Sequence, residues 1–244
     1  MTTMALYGYA AASVMSVMIP LWIVSVAIKD ASIVDVFWGP LFVAIAWVLF
    51  ALGLSAGAVG GEQLVVLLLV TMWGLRLAFH LAARNFGRGE DARYRLWRAH
   101  GGPHWWLKSF FRVYLLQGAI ALVVATPIVA AFSTAASPSA LNWIGVVVWA
   151  LGFGIEASAD VQLMRFKARP DSTGEVMKTG LWAASRHPNY FGDALQWWGL
   201  GLFAFTVETW WSFIGPLAMT LVFLGLSNQV IERGLLKRRP DYAH

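Results

Sequence analysis

The chain contains no cysteine among its 244 residues. That removes disulfide staples, thiol nucleophiles and thiolate metal sites. Charge is scarce as well: Asp, Glu, Lys and Arg make up 13% of the residues, about half the share of a soluble domain. No Gly-x-Gly-x-x-Gly follows a strand pattern and no Walker loop occurs, so neither standard nucleotide fold is expected. His187 could serve as a metal ligand or a base, but the other histidines, His80, His100, His104 and His244, show no ligand spacing, so no metal site is expected. Ser185 lacks a base with an orienting partner, and there is no nucleophile elbow. Hydrolase chemistry gains no support.

What fills the chain instead is apolar sequence, 59% of all residues. Several runs reach the roughly 20 apolar residues that cross a bilayer. Lipid demands internally satisfied backbone, so these runs predict helices. The fold class is therefore an all-α polytopic membrane protein with seven transmembrane helices, at 5–28, 32–54, 63–83, 109–132, 140–164, 189–206 and 210–232. The first run is too long for a signal peptide, lacks a basic leader and precedes further spans, so it reads as a retained helix. The 18 Lys and Arg all fit on one side of this scheme. By the positive-inside rule the N-terminus is outside and the C-terminus cytoplasmic. The net charge of +5 is then a topology signal, and no nucleic-acid partner is expected.

The loops without Lys or Arg are plain connectors. Complexity gathers in the basic ones. The stretch 84–112 carries Asp91-Ala-Arg93-Tyr94-Arg95 and Gly-Gly-Pro-His-Trp-Trp, which suits a helix lying in the membrane interface. Of the 14 tryptophans, Trp197, Trp198, Trp210 and Trp211 fall near predicted span ends, where aromatic belts form.

Charges inside spans are costly and point to function. Asp35 lies about one turn into the second predicted span, and Arg76 late in the third. An interhelical Asp35–Arg76 pair and a catalytic role for Asp35 both fit. Glu156 and Asp160, at i and i+4, share a helix face. Asp193 and Gln196 lie early in the sixth span. Lys167, Arg169, Arg186 and Arg233, with the 237–239 run, form a basic set suited to phosphates. Topology and anionic headgroups account for such a set too. The admixture of Glu156, Asp160, Asn189, Asp193 and Tyr242 is what a nucleotide needs and a headgroup patch does not. Pro188 opens the sixth helix and exposes amide donors at its N-terminus, which favour an anion.

The stretch Gly180-Leu-Trp182…Ser185-Arg186-His187-Pro188-Asn189-Tyr190-Phe-Gly192-Asp193 resembles the signature of the steroid 5α-reductase C-terminal-domain family, in its bacterial membrane branch. The resemblance extends through Glu156…Asp160-Val-Gln162…Arg165-Phe-Lys167, Glu232-Arg233…Arg239-Pro-Asp-Tyr242, Asp35-Val-Phe-Trp38-Gly39 and Glu90-Asp91-Ala-Arg93-Tyr94. It implies seven membrane helices in a single domain, with 1–132 on the substrate side and 140–244 on the cofactor side. It implies NADPH as cofactor and reduction of a carbon–carbon double bond conjugated to a carbonyl, in a membrane-soluble steroid-like enone or enoyl lipid. The family's cofactor contacts fall on Asp160, Asn189, Arg233 and Tyr242 with the same residue types. A family arginine falls on Lys167, an asparagine on Glu156 and a glutamate on Asp193. Arg186, His187 and Tyr190 belong to the same cofactor set. The family's proton-donating tyrosine falls on Trp73 and its glutamate partner on Asp35, which leaves Tyr94 as the candidate acid. Relatives continue past Tyr242-Ala-His244, so a longer C-terminus is expected. The implied partners are the lipid bilayer and a hydrophobic small molecule, and the location is a bacterial inner membrane with the cofactor site facing the cytoplasm. The Arg-His-Pro-x-Tyr core also resembles membrane methyltransferases that use S-adenosylmethionine. A lipid-binding protein without enzymatic activity is the third alternative.

Overall fold

A computed structural model describes residues 1–85, 87–134, 139–172 and 174–226. Every regular element among them is helical. The chain divides into two compact units, Met1–Pro138 and Ser139–His244.

The first unit opens with α1 (Thr3–Ile28), whose N-cap Thr2 accepts from the Ala5 N–H. Leu6, Ala10, Val14, Met18 and Leu21 are buried along one stripe, at the three- and four-residue spacing of a helix face. Ile19, Ile23 and Val24 are exposed on the same helix. A helix apolar on every side has lipid, not water, as its outer solvent. Next come the short α2 (Ile33–Val36), then α3 (Trp38–Ser55) and α4 (Gly61–Asn85). Helix α5 (Ala92–Gly101) is capped by Asp91, which accepts from the Arg93 N–H. Helix α6 (Trp105–Ser109) runs through a π turn, Phe110–Leu115, into α7 (Leu116–Val124), and α8 (Thr126–Ser133) closes the unit.

Two predicted spans change shape. The second, expected at 32–54, is broken at Phe37, and the long helix starts at Trp38. Pro40 has no N–H to bond back to Val36, so the helical ladder loses a bond there and the helix breaks and restarts just before it. Asp35 therefore sits on a short helix ahead of the span instead of inside it. The fourth, expected at 109–132, runs over Trp105–Val124 and breaks at Ala125 before Pro127 for the same reason.

The second unit is built on α9 (Ala140–Lys167) and α11 (Pro188–Phe203), with α10 (Leu181–Ala184) between them and α12 (Ile214–Leu226) after. Asn142 Oδ1 accepts from the Ser139 N–H at 2.7 Å and starts α9. Helices α9 and α11 run antiparallel with backbones in contact. A Cβ on Gly152 would lie 2.6 Å from Gly192 O, and one on Gly145 would lie 2.6 Å from Gly199 O. Both pairs repeat at seven residues, so one seam of missing side chains lets the helices close along two turns each.

Among the described residues five stretches are long and apolar enough to cross a membrane: Thr3–Ile28, Trp38–Ser55, Gly61–Asn85, Trp105–Val124 and Ala140–Lys167. The chain thus has the build of an integral membrane protein. The other two predicted spans fall on α11 and on the shorter apolar helix Trp210–Gly225, and part of the last lies outside the described residues.

Candidate functional site

In the second unit the glycine seam ends in polar side chains. One turn past Gly152, Glu156 lies over the bare backbone of Gly192 and accepts from Gln196 Nε2 at 2.6 Å. Glu156 and Gln196 are 3% and 1% exposed, so this bond stands in an apolar, low-dielectric setting where it is strong. A further turn along, Asp160 Oδ1 accepts from Asn189 Nδ2 at 3.2 Å. Asp160 and Asp193 are also buried. Asn189, Asp193 and Gln196 follow the i, i+4, i+7 rhythm of one helix face. Three carboxylates and two amides therefore line the seam, which is far more polarity than helix adhesion needs. Two acceptors, Asn189 Oδ1 and Gln196 Oε1, are buried without a hydrogen-bond partner among the described residues.

The segment leading into α11 is docked on α9. Leu181 N–H donates to Gln162 Oε1 at 3.0 Å and Trp182 Nε1 to Ala159 O at 3.0 Å. Gly180 makes the close approach possible: its φ is +60, and a Cβ there would lie 2.6 Å from Gln162 Oε1. Pro188 then opens α11. His187 and Tyr190 are stacked with ring centroids 5.2 Å apart, and Tyr190 stacks on Phe223 at 4.7 Å. The cations Lys167 and Arg186 are exposed at either end of this segment. Arg169 is held by Asp171 at 3.0 Å. The structure thus brings Glu156, Asp160, Asn189 and Asp193 together, with His187 and Tyr190 as a ring stack at the helix start. Arg233 and Tyr242 lie outside the described residues.

The first unit holds a second cluster. Tyr94 Oη–H donates to Asp35 Oδ1 at 2.6 Å, Arg93 pairs with Asp35 Oδ2 at 3.0 Å, and Gln117 Nε2 donates to Tyr94 Oη at 3.1 Å. Tyr94 is 3% exposed. Burial, and then the neighbouring Asp35 carboxylate, push the Tyr94 phenol above its usual range. Burial also raises Asp35, although the Tyr94 hydrogen bond and the Arg93 charge pull the other way. Below this pair, Glu90 accepts from Arg98 through both oxygens at 2.8 and 2.9 Å and from the Ala31 N–H at 2.8 Å. Burial alone would raise Glu90, but these donors outweigh it and hold the carboxyl below its usual range. They tie α5 to the turn between α1 and α2.

Of the two readings of Asp35, the ion pair with Arg76 is not the one formed: Asp35 pairs with Arg93, 58 residues away in sequence. Trp73, where the resemblance puts a proton donor, is a core indole 2% exposed with its ring 5.6 Å from Phe42. The tyrosine at Asp35 is Tyr94. Gln117 escaped the sequence reading, although a lone amide inside a predicted span was the signal for it. Among the described residues no group of three His, Cys, Asp or Glu is placed to hold a metal ion.

A family model described as "Protein of unknown function (DUF1295)" matches residues 21–244. An uncharacterized protein of Schizosaccharomyces pombe is 28% identical over 249 aligned positions, covering 91% of this chain and 72% of that protein. No solved structure matches the chain.

Proposed function

The chain belongs to the DUF1295 family, and on that footing we propose that it is an NADPH-dependent reductase of a carbon–carbon double bond conjugated to a carbonyl, acting on a membrane-soluble lipid and related to the steroid 5α-reductase C-terminal-domain proteins. The observation that carries this reading is the seam of Glu156, Asp160, Asn189, Asp193 and Gln196. Its two buried acceptors without partners, Asn189 Oδ1 and Gln196 Oε1, suit a ligand that brings N–H or O–H donors, such as a carboxamide or a ribose. A lipid headgroup patch needs only cations, and these are acceptors. The acceptor set therefore fits the nicotinamide and ribose end of the cofactor. Lys167 and Arg186, both exposed, are the cations for its phosphates, with Arg233 and Tyr242 assigned from the sequence. His187 and Tyr190 flank the helix N-terminus, whose free amides favour an anion.

NADPH supplies a hydride when bound. The chain's own task is to hold the polar groups in place and to meet the charge that grows on the carbonyl oxygen. Tyr94 keeps its proton on Oη across the physiological range, because burial and the Asp35 carboxylate oppose its loss. It is thus an acid available to a developing oxyanion. Gln117 Nε2–H, donating to Tyr94 Oη, stabilises the phenolate left when that proton moves. Asp35, itself held by Arg93, orients the phenol through the Tyr94 Oη–H bond.

The finer topology belongs to the same proposal. Seven spans, an outside N-terminus, a cytoplasmic C-terminus and a bacterial inner membrane with the cofactor site on the cytoplasmic side rest on the one-sided placement of the 18 Lys and Arg. The test is thermal stability of the detergent-purified chain with NADPH, NADH, S-adenosylmethionine or buffer. Stabilisation by NADPH, and less by NADH, is expected. Stabilisation by S-adenosylmethionine alone overturns the reductase in favour of a methyltransferase.

A further inference from the structure

At the end of the first unit where α1 finishes and α3 begins, charge is sorted by sign. The acids there hold internal donors. Asp30 Oδ1 accepts from the Ser32 N–H and Oγ–H at 2.9 and 2.6 Å. Asp91 accepts from Arg93, Asp35 from Arg93 and Tyr94, and Glu90 from Arg98 and Ala31. The cations left over point outward. Arg88, Arg95 and Arg112 are exposed, and none of the ion pairs among the described residues includes them.

Next to Arg95 and Arg112 in the chain stand large apolar side chains that are left exposed. Leu96 is 57% exposed, Trp97 49%, Trp106 48% and Phe111 55%. They are held in place rather than loose. Trp22 Nε1 donates to Trp106 O at 2.9 Å, and the two indoles stack with centroids 6.3 Å apart. Trp97 packs edge-on against Tyr94 at 5.2 Å. Helix α5 therefore has an inner face of satisfied polar groups and an outer face of arginine, tryptophan and leucine. That is the composition of a helix lying in the headgroup layer.

We propose that this outer face of α5, with Arg95 and Trp97, together with the flanking Arg88, Trp106 and Arg112, is a binding surface for anionic phospholipid headgroups. Charge complementarity selects the occupant. Exposed tryptophans settle at the lipid–water boundary. Cations at that level attract anionic lipids and gain nothing from zwitterionic ones. A neutral bilayer leaves the sorted charge without a purpose, and an aqueous surface leaves the aromatic side chains without one. The surface stands independently of the reductase reading.

The test is lipid retention by the purified full chain, read by native mass spectrometry after incubation with equimolar phosphatidylglycerol and phosphatidylcholine. The wild type is expected to retain phosphatidylglycerol preferentially. The triple variant Arg88→Gln/Arg95→Gln/Arg112→Gln is expected to lose that preference by roughly fivefold per arginine removed, while a triple Arg→Lys variant keeps it. Millimolar inorganic phosphate is expected to leave the lipid in place, because the tryptophans contribute only to a lipid. Equal retention of both lipids by the wild type overturns the proposal. So does an unchanged preference in the triple Gln variant, which puts the lipid elsewhere, or displacement by phosphate. If the triple variant is unstable, Arg95→Gln alone is read in the same way.

Discussion

Tyr94 and Asp35, 59 residues apart in sequence, share a 2.6 Å hydrogen bond that fastens α5 to the short helix ahead of α3. The phenol is buried and the carboxylate partly so, which makes the bond costly to break. Tyr94→Phe removes the donor and leaves Asp35 with Arg93 alone. The expected loss is about 1–3 kcal/mol, seen as a lower melting temperature in the same detergent. If the pair also serves as the acid of the proposed reaction, Tyr94→Phe leaves NADPH-induced stabilisation intact while abolishing turnover. Loss of NADPH stabilisation in Tyr94→Phe argues against a purely acid role.

The two carboxylates near this helix respond to pH with opposite signs. Asp35 is raised, so the folded chain binds its proton more readily than the unfolded one. The contribution is complete below the usual carboxylate pKa and is lost as pH rises through the raised value. Glu90 is lowered, so its contribution is present above the usual value and is lost as pH falls through the lowered one. Melting temperatures between pH 3 and 8, on the order of one pH unit apart, check this. Asp35→Asn is expected to gain on the wild type as pH rises, and Glu90→Gln as pH falls. Parallel curves for both variants refute the assignment.

The α9–α11 seam predicts a sharp contrast between two glycines of one helix. A Cβ on Gly152 meets Gly192 O at 2.6 Å and Gln196 N at 2.7 Å, whereas one on Gly154 meets nothing within 4 Å. Gly152→Ala must push two backbones apart, an overpacking cost of about 1–3 kcal/mol. It also shifts Gln196 away from Glu156. Gly154→Ala is neutral or stabilising by up to about 1 kcal/mol, because alanine is the better helix former. Equal melting temperatures for the two variants contradict the packing.

Much of this was readable in the residues. The apolar runs gave the helices, and the spacing of Glu156 and Asp160 put both on one face. The breaks at Phe37 and Ala125 were within reach too, because Pro40 and Pro127 mark them. The seven-residue repeat of Gly145 and Gly152, matched by Gly192 and Gly199, was visible but meaningless until the two helices were known to face each other. The partner of Asp35 was not readable. Periodicity reports which face a residue occupies, and nothing in it says that a side chain after α4 returns to the turn before α3. The sequence left Asp35 between a pair with Arg76 and a catalytic role. The chain uses Arg93 and Tyr94, on a helix the sequence placed in the interface.

The amides of the seam make the most direct test of the cofactor. Asn189 donates to Asp160 through Nδ2 and keeps Oδ1 buried without a partner among the described residues. Asn189→Asp keeps the shape and the acceptor but removes the donor to Asp160 and adds a negative charge beside it. Both changes weaken a ligand that carries phosphates. Asn189→Ala removes donor and acceptor together. Ligand at 100 times its Kd stabilises the folded state by about 2.7 kcal/mol. A tenfold weaker Kd lowers that by about 1.4 kcal/mol, which a thermal scan at fixed NADPH resolves. Asn189→Ala is expected to lose at least that much, and Asn189→Asp more. Without NADPH, Asn189→Ala is expected to melt within about 1 kcal/mol of the wild type, because its one hydrogen bond is only partly buried. A variant that melts lower without ligand yet gains as much from NADPH as the wild type makes Asn189 a strut between helices. Such a result takes the cofactor away from this seam.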